Sequence, residues 1–389
     1  MKLLYEILLL LVLTGCGFQN ENFHLYKSDN IVDSSEVIDL SDVGSHICTA
    51  FDTLVTSIRI ISLETKESSI VSDMKQVVTT SDYIYILDRY KNGSVIVFRS
   101  DGSFVKRLPN GPAPHEICRA NRIFYEPKDS ILYVHDDGSQ KIAKFSYKGD
   151  FINYDTIPLI FIDFAVLNDM YVLIQPSFQS LTHEFSVCVV DSMGVDYWVI
   201  GDDYPKNLLY PYSQSIENGI LIMKPRDNYI YCYDRNSVYK RYKIVTNSTF
   251  DYSKYDKFDI KNYDLSSDNF YYTNGFTETK DYQLMPVMHK LGEPVFAVRQ
   301  KKNGNAWFEN KKNRLFYAFA SECYGVHDYE NNYLSGIILP EEYLSIISKR
   351  EWDGFNPNNL ISDEDMAKLK AVKPDDNPII VLFKLKDDI

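Results

Sequence analysis

The sequence predicts an all-β fold, a six-bladed β-propeller, and three observations carry that prediction. One pattern is stated twice between Tyr83 and Ile152, offset by about 47 residues, the spacing of a propeller blade. Asp-Gly and Asn-Gly turn signals recur beyond it. The 389 residues are 45% hydrophobic and 24% charged, with 30 Tyr and 22 Phe, residues that suit pleated, half-buried strands. A chain of this length exceeds one ordinary core and suits two or three domains, or one repeat array.

Each blade is read as four antiparallel strands, a to d, from the central channel outward. In blade one, a lies near Lys75–Thr79, b is Tyr83–Leu87, c is Val95–Phe98 and d is Phe104–Leu108. Asp101-Gly102 makes its tight c–d hairpin. Blade two repeats this with Ala120–Tyr125, Ile131–His135, Lys141–Phe145 and Phe151–Tyr154. Blade three follows with a near Phe161–Leu167, b at Met170–Ile174, c at Ser186–Val190 and a turn at Asp191–Gly194. Blade four has a near Pro211–Ile216, b at Ile220–Met223 and c at Tyr229–Tyr233. Blade five is fainter, with c near Val295–Arg299, a turn at Asn303-Gly304 and d at Ala306–Phe308.

Blade six begins near Leu315 and has b at Tyr333–Ile338. Two short helices are predicted inside it. Pro340-Glu341-Glu342 opens one, and Ser362 caps another that runs through Met366 and Leu369. A last strand, Ile379–Leu385, follows Asn377-Pro378. A ring must close or leave raw sheet edges. An N-terminal strand, Val37–Leu40 or Ile58–Leu63, is expected to complete the sheet of Ile379–Leu385.

The N-terminus carries a separate signal. Lys2 precedes an apolar run, Ile7–Leu13, too short to span a bilayer. It ends in Leu13-Thr14-Gly15-Cys16, which resembles a bacterial lipoprotein signal, with Cys16 as the lipidated first residue of the mature chain. The alternative is an ordinary secretory signal with a chance cysteine. The expected organisation is a signal peptide over 1–15, a lipidated tether over 16–30 and the propeller over 31–389. Net charge is −13 with no Lys/Arg stripe, which argues against nucleic acid and makes a covalent anchor necessary at an anionic membrane. The other five cysteines, Cys48, Cys118, Cys188, Cys232 and Cys323, have irregular spacing and no CxxC pair. Cys188 and Cys232 read as small buried hydrophobes.

The chain resembles the six-bladed β-propeller lipoproteins of Gram-negative bacteria, relatives of the NHL-repeat propellers. The residues that carry the resemblance are Ile60–Thr65, the Tyr83–Asp88 strand, Asp101-Gly102, Gly111-Pro112-Ala113-Pro114-His115-Glu116 and Asp376-Asn377-Pro378. The resemblance implies an architecture and a lipid-anchored place in the cell envelope, at the outer membrane, facing the periplasm or the exterior. It implies no reaction.

Strand order sorts the connections by face. The a–b and c–d turns are tight, whereas the b–c and d–a connections include 106–119, 175–184, 200–210 and 246–269. Long loops on a rigid scaffold are where binding resides. Arg89, His115, Glu116, Tyr210, Tyr212, Arg226, Tyr252, Tyr255 and Tyr263 are therefore the candidate ligand-binding residues. Tyr rings could instead pin the loops onto the blades. Asp88 and Asp136 are expected to hold b–c backbone amides.

Chemistry is harder to find. Some six-bladed propellers hold a divalent ion with Glu, Asn and Asp on inner strands, and calcium needs several oxygens together. Only Asn121 and Asp163 present themselves on the inner strands read here. His115-Glu116, His135-Asp136 and His327-Asp328 are adjacent pairs that strand alternation turns apart. No HExxH, GxSxG, P-loop or dinucleotide fingerprint is present. The favoured reading is a lipid-anchored binding module without a catalytic residue or required cofactor, recognising a glycan, peptide or envelope protein. The alternative is a metal-dependent hydrolase, lactonase or lyase with calcium in the central channel. A purely scaffolding role is not separable from the first by sequence.

Overall fold

The computed structural model describes residues 24–27, 31–41, 54–89, 93–157, 159–175, 185–191, 194–201, 212–224, 227–246, 270–272, 275–289, 293–309, 323–348 and 359–387. Three N-terminal strands come first: β1 (His24–Lys27), β2 (Val32–Asp39) and β3 (Val55–Ser62). Blade one is β4 (Met74–Thr79), β5 (Tyr83–Asp88), β6 (Ser94–Arg99) and β7 (Phe104–Arg107). Blade two is β8 (Ala120–Glu126), β9 (Ile131–Asp136), β10 (Lys141–Ser146) and β11 (Phe151–Thr156). Blade three is β12 (Asp163–Leu167), β13 (Met170–Gln175), β14 (Phe185–Val190) and β15 (Gly194–Gly201). Blade four is β16 (Tyr212–Ile216), β17 (Gly219–Met223), β18 (Tyr229–Tyr233) and β19 (Val238–Val245).

The two blades that the sequence states least clearly are also formed. In blade five, β20 (Phe270–Tyr272) and β21 (Thr277–Glu278) both pair with β22 (Tyr282–His289), followed by β23 (Glu293–Gln300) and β24 (Ala306–Glu309). Blade six is β25 (Cys323–Asp328), β26 (Tyr333–Ile338), β27 (Ile379–Leu385) and β3. Leu315, where blade six was expected to begin, lies outside the described residues. Helices α1 (Pro340–Ser348) and α2 (Asp363–Lys370) fill the connection from β26 to β27. The Ser362 side chain accepts from the Asp365 amide, the N-cap bond its position predicts.

The two candidates for ring closure have different fates. β3 pairs antiparallel with β27, from Ile379↔Ser62 to Leu385↔Val55, so Ile58–Leu63 closes the ring. Val37–Leu40 does not. β2 runs parallel to β19 as a fifth strand of blade four, placing Ile38 and Leu40 at 0% exposure. β1, within the stretch expected to be tether, likewise runs parallel to β15 of blade three.

The core is six apolar seams, one between each pair of neighbouring blades. Strand alternation builds them. On β5, Tyr83, Tyr85 and Leu87 join Ile123, Val134 and Phe145 of blade two. Ile84 and Ile86 of the same strand turn the other way and meet Ile337, Ile380 and Leu382 of blade six. Middle strands buried on both faces read as continuous apolar runs, which is why b and c strands were legible. Each fully buried Ile, Leu or Phe contributes about 1.5–3 kcal/mol, against about 0–1 for an exposed ion pair. The seams therefore hold the ring. Gly102 has φ +91°, and a Cβ there would stand 2.1 Å from the Ser62 carbonyl oxygen, so glycine lets blade one press against β3.

The strand-b aspartates set the entry to the inner strands. Asp88 accepts from the amides of Ser72 (3.3 Å) and Asp73 (2.9 Å), and Asp136 from those of Cys118 and Arg119 (both 2.8 Å). These amides belong to the d–a segments, not the b–c turns expected. Asp136 also takes the b–c turn, through the Gly138 amide and the Ser139 hydroxyl. Its neighbour His135 turns instead onto the Phe161 ring. Burial would raise the Asp136 pKa, but the Ser139 hydroxyl, the two amides and Lys141 outweigh it and hold it below its ordinary value. A depressed carboxylate stabilises the fold above its unfolded pKa and loses that contribution as pH falls. Asp136→Ala is expected to cost about 3 kcal/mol at pH 7. In urea denaturation the gap from the parent should narrow as pH falls through 3.8 and below.

Candidate functional site

The inner strands carry two bulges at equivalent places. β4 shifts register between Met74 and Gln76, and β8 between Ala120 and Arg122. Lys75 and Asn121 are the extra residues. A bulge breaks side-chain alternation and re-aims its residue. Here it brings the two together where d–a connections enter the ring. Lys75 Nζ donates to the Asn121 carbonyl at 2.7 Å and to its Oδ1. The next residue, Gln76, also reaches blade two, donating to the Ile123 carbonyl (2.8 Å) and accepting from its amide (2.9 Å).

The ladder continues from strand to strand. The Arg122 guanidinium grips the Asp163 carboxylate through Nε and Nη2, the latter at 3.1 Å. Asp163 Oδ2 accepts from the Ser213 amide (2.7 Å) and hydroxyl (3.0 Å). Gln214 repeats the role of Gln76, donating to the Glu278 carbonyl (2.6 Å) and accepting from its amide (2.9 Å). Inner strands of blades one to five are thus stitched by side chains as well as by apolar seams.

Lys75 stands out electrostatically. Burial lowers its ammonium pKa most, and Arg122 and Arg89 lower it further against Asp137 and Asp163. Among the described residues it forms no ion pair with a carboxylate. Nearby, His135 is 4% exposed, its ring stacks on Phe161 at 4.0 Å, and its Nδ1 has no hydrogen-bond partner. Burial pushes its pKa down to about 4, and the Lys75 charge pushes the same way. The mouth of the channel thus holds a half-buried amine, an arginine clamp and a neutral imidazole.

The candidates read from sequence are only partly gathered here. Arg89 is at this rim, paired with Asp73 at 2.9 Å. His115 is not at the mouth: its ring lies 6.5 Å from Phe151 of the outer strand β11. Glu116 accepts from the Ala113 amide at 2.9 Å and fixes its own loop. Tyr212 begins β16, but its side chain, together with Tyr210, Arg226, Tyr252, Tyr255 and Tyr263, lies outside the described residues.

Asn121 and Asp163 do not fit a calcium site. Lys75 sits on the one and Arg122 on the other, cations where a metal would need free oxygens. Among the described residues no three His, Cys, Asp or Glu come together to hold a metal. A second inner-strand acid, Glu278, is at 0% exposure and meets Arg241 (3.2 Å) and Lys301 (3.0 Å). Lys75, Arg122 and Glu278 escaped the sequence reading. Cations are not metal ligands, no local residue type marks a bulge, and blade five has the faintest pattern.

The family described as a domain of unknown function, DUF4934, matches residues 35–384. No curated protein matches the chain. A crystal structure from Bacteroides fragilis, described as an exported protein, superposes with TM-score 0.69 at 17% identity, covering 90% of this chain and 100% of that one. A member of the DUF4221 family from Bacteroides vulgatus gives TM-score 0.46 at 10% identity, over 85% and 98%.

The imidazole at the mouth gives a pH signature. Unfolded His135 binds a proton near pH 6.5, folded His135 only near 4. Its burial is therefore harmless above 6.5 and costs progressively more as pH falls to 4, up to about 3 kcal/mol. His135→Phe keeps the stack on Phe161 and removes the titration. Denaturation of the variant across this window should show a flatter stability profile than the parent.

Proposed function

The chain belongs to the DUF4934 family, and we propose that it is a lipid-anchored recognition module of the cell envelope. It binds an anionic group of a glycan, peptide or envelope protein at the long-connection face of the ring. The observation that carries this reading is Lys75, a half-buried ammonium without a carboxylate partner among the described residues, held beside Arg122 at the channel mouth. A ligand carboxylate or phosphate would supply the missing counter-charge, and charge-assisted bonds of this kind are the strong ones.

Leu13-Thr14-Gly15-Cys16 supports export and attachment of membrane lipid at Cys16, and with it kinship to propeller lipoproteins of the NHL type. The relative from Bacteroides fragilis described as exported points the same way. Among the described residues no helix is long and apolar enough to cross a membrane.

The soluble form lacking residues 1–16 should bind specific members of a glycan and peptide array without calcium. Lys75→Met should weaken the captured ligand about 10–100-fold with an unchanged melting temperature. Binding or turnover that requires calcium would overturn the reading. In intact cells, labelled palmitate should enter the parent and not Cys16→Ser.

A further inference from the structure

The outer strand of a blade exposes a row of backbone N–H and C=O groups unless something covers it. Four blades cover theirs. Blades three and four do so with β1 on β15 and β2 on β19, both parallel. Blade six uses the approach to α2: the Ile58 amide donates to the Leu360 carbonyl (2.9 Å) and the Ile60 amide to Asp365 Oδ2 (3.1 Å). In blade one the Phe104 amide donates to Glu64 Oε2 (2.9 Å), and the Arg107 guanidinium crosses to the Ile70 carbonyl (2.8 Å). Blade five ends in a strand of four residues.

Blade two is different. β11 is six residues long, and no described residue hydrogen-bonds to its outer edge. Phe151, Ile152 and Tyr154 are 36%, 49% and 43% exposed, with Tyr147 at 37% in the adjoining turn. The strand has no Lys or Pro, the usual blunting devices, and its single charge, Asp155, is paired with Lys144 at 2.8 Å.

We propose that β11 is a docking edge for an extended segment of a partner protein, which adds to blade two as a fifth, parallel strand. The direction follows from this chain, where both strands added to outer edges run parallel. The chemistry of the segment follows from charge. On β2, Asp33 and Glu36 are met by Lys240 (3.1 Å) and Arg299 (2.8 Å). β11 has no cation to offer, and its acid is already engaged. The matching segment is uncharged and rich in β-branched or aromatic residues, which pair across strands with Phe151, Ile152 and Tyr154. Main-chain bonds supply affinity and alternate side chains supply selectivity. His115, on its Pro-rich loop beside Phe151, flanks one side of the seat.

The test uses the soluble form and a displayed library of random twelve-residue peptides. Enriched peptides should alternate apolar residues, carry little charge and protect amides of 151–156 from hydrogen exchange. The double variant Ile152→Lys/Asn153→Lys, whose side chains are exposed, should keep its melting temperature and bind at least tenfold more weakly. Lys75→Met should bind as the parent does, separating this edge from the channel mouth. Failure to enrich any peptide, equal binding to the double variant, or protection elsewhere would overturn the proposal. So would concentration-dependent dimerisation abolished by the double variant, which would make a second copy the occupant.

Discussion

A ring of sheets is stable only when its first and last sheets meet, and here one contact between distant parts of the chain does that. β3 is made from residues 55–62 and its partner β27 from residues 379–385. Their pairing places Ile58 and Ile60 in the seam facing blade five and Ile61 in the seam facing blade one. Without β3, blade six would lose its outer strand and two of the six seams would be incomplete. The closure is reinforced by polar contacts. Asn377 donates to the carbonyls of Glu64 and Ser69 and accepts from the Val71 amide. Asp365 on α2 takes the Ile60 amide. The helices inserted in blade six are thus part of the clasp.

Closure fixes the inner strands around a common axis, and the two bulges then act on that frame. A regular β4 would send Lys75 and Gln76 to opposite faces. The bulge lets both reach blade two, Gln76 to the Ile123 backbone and Lys75 to Asn121. The two roles differ. Gln76 satisfies a backbone donor and acceptor completely, whereas among the described residues Lys75 bonds only to neutral oxygens. Asp88 and Asp136 hold the segments immediately before the bulges, so the geometry of the mouth rests on buried carboxylates rather than on loop rigidity.

Local order was legible because blades repeat and because their middle strands are buried on both faces. Tyr83–Leu87 and Ile131–His135 show this as unbroken apolar runs, and Asp101-Gly102 marks a hairpin through its own chemistry. The destinations of β1 and β2 were not legible. Each pairs with a strand well over a hundred residues away, and nothing in Val32–Asp39 distinguishes blade four from blade six. The register of Val37 and Ile38 decides it only in three dimensions, where Ile38 is buried and Val37 is 54% exposed. The site was less legible than the fold. Asn121 and Asp163 were visible as oxygens, but their partners Lys75 and Arg122 come from adjacent strands. The Asp pair reads as backbone-binding, and Asp136 does hold the Gly138 amide of its b–c turn, but most of the amides the pair holds lie before the inner strands because strand b ends beside that entry.

A lipid at Cys16, as proposed, would tie these features to a membrane. Cys16 lies eight positions before His24, and fully extended residues span about 3.5 Å each, so the link reaches at most about 28 Å. A lipid on Cys16 would therefore hold the outer edge of blade three close to the bilayer rather than the ring at the end of a long leash. That reach still exceeds the screening length of about 8 Å at physiological salt. A protein of net charge −13 can then stand off an anionic surface while remaining attached. Blades two and four flank blade three, so under such an anchor the outer edge of β11 would face sideways along the membrane, where other envelope proteins are met. The edge of blade three, covered by β1, would face the bilayer, and there an uncovered row of backbone groups would be of least use.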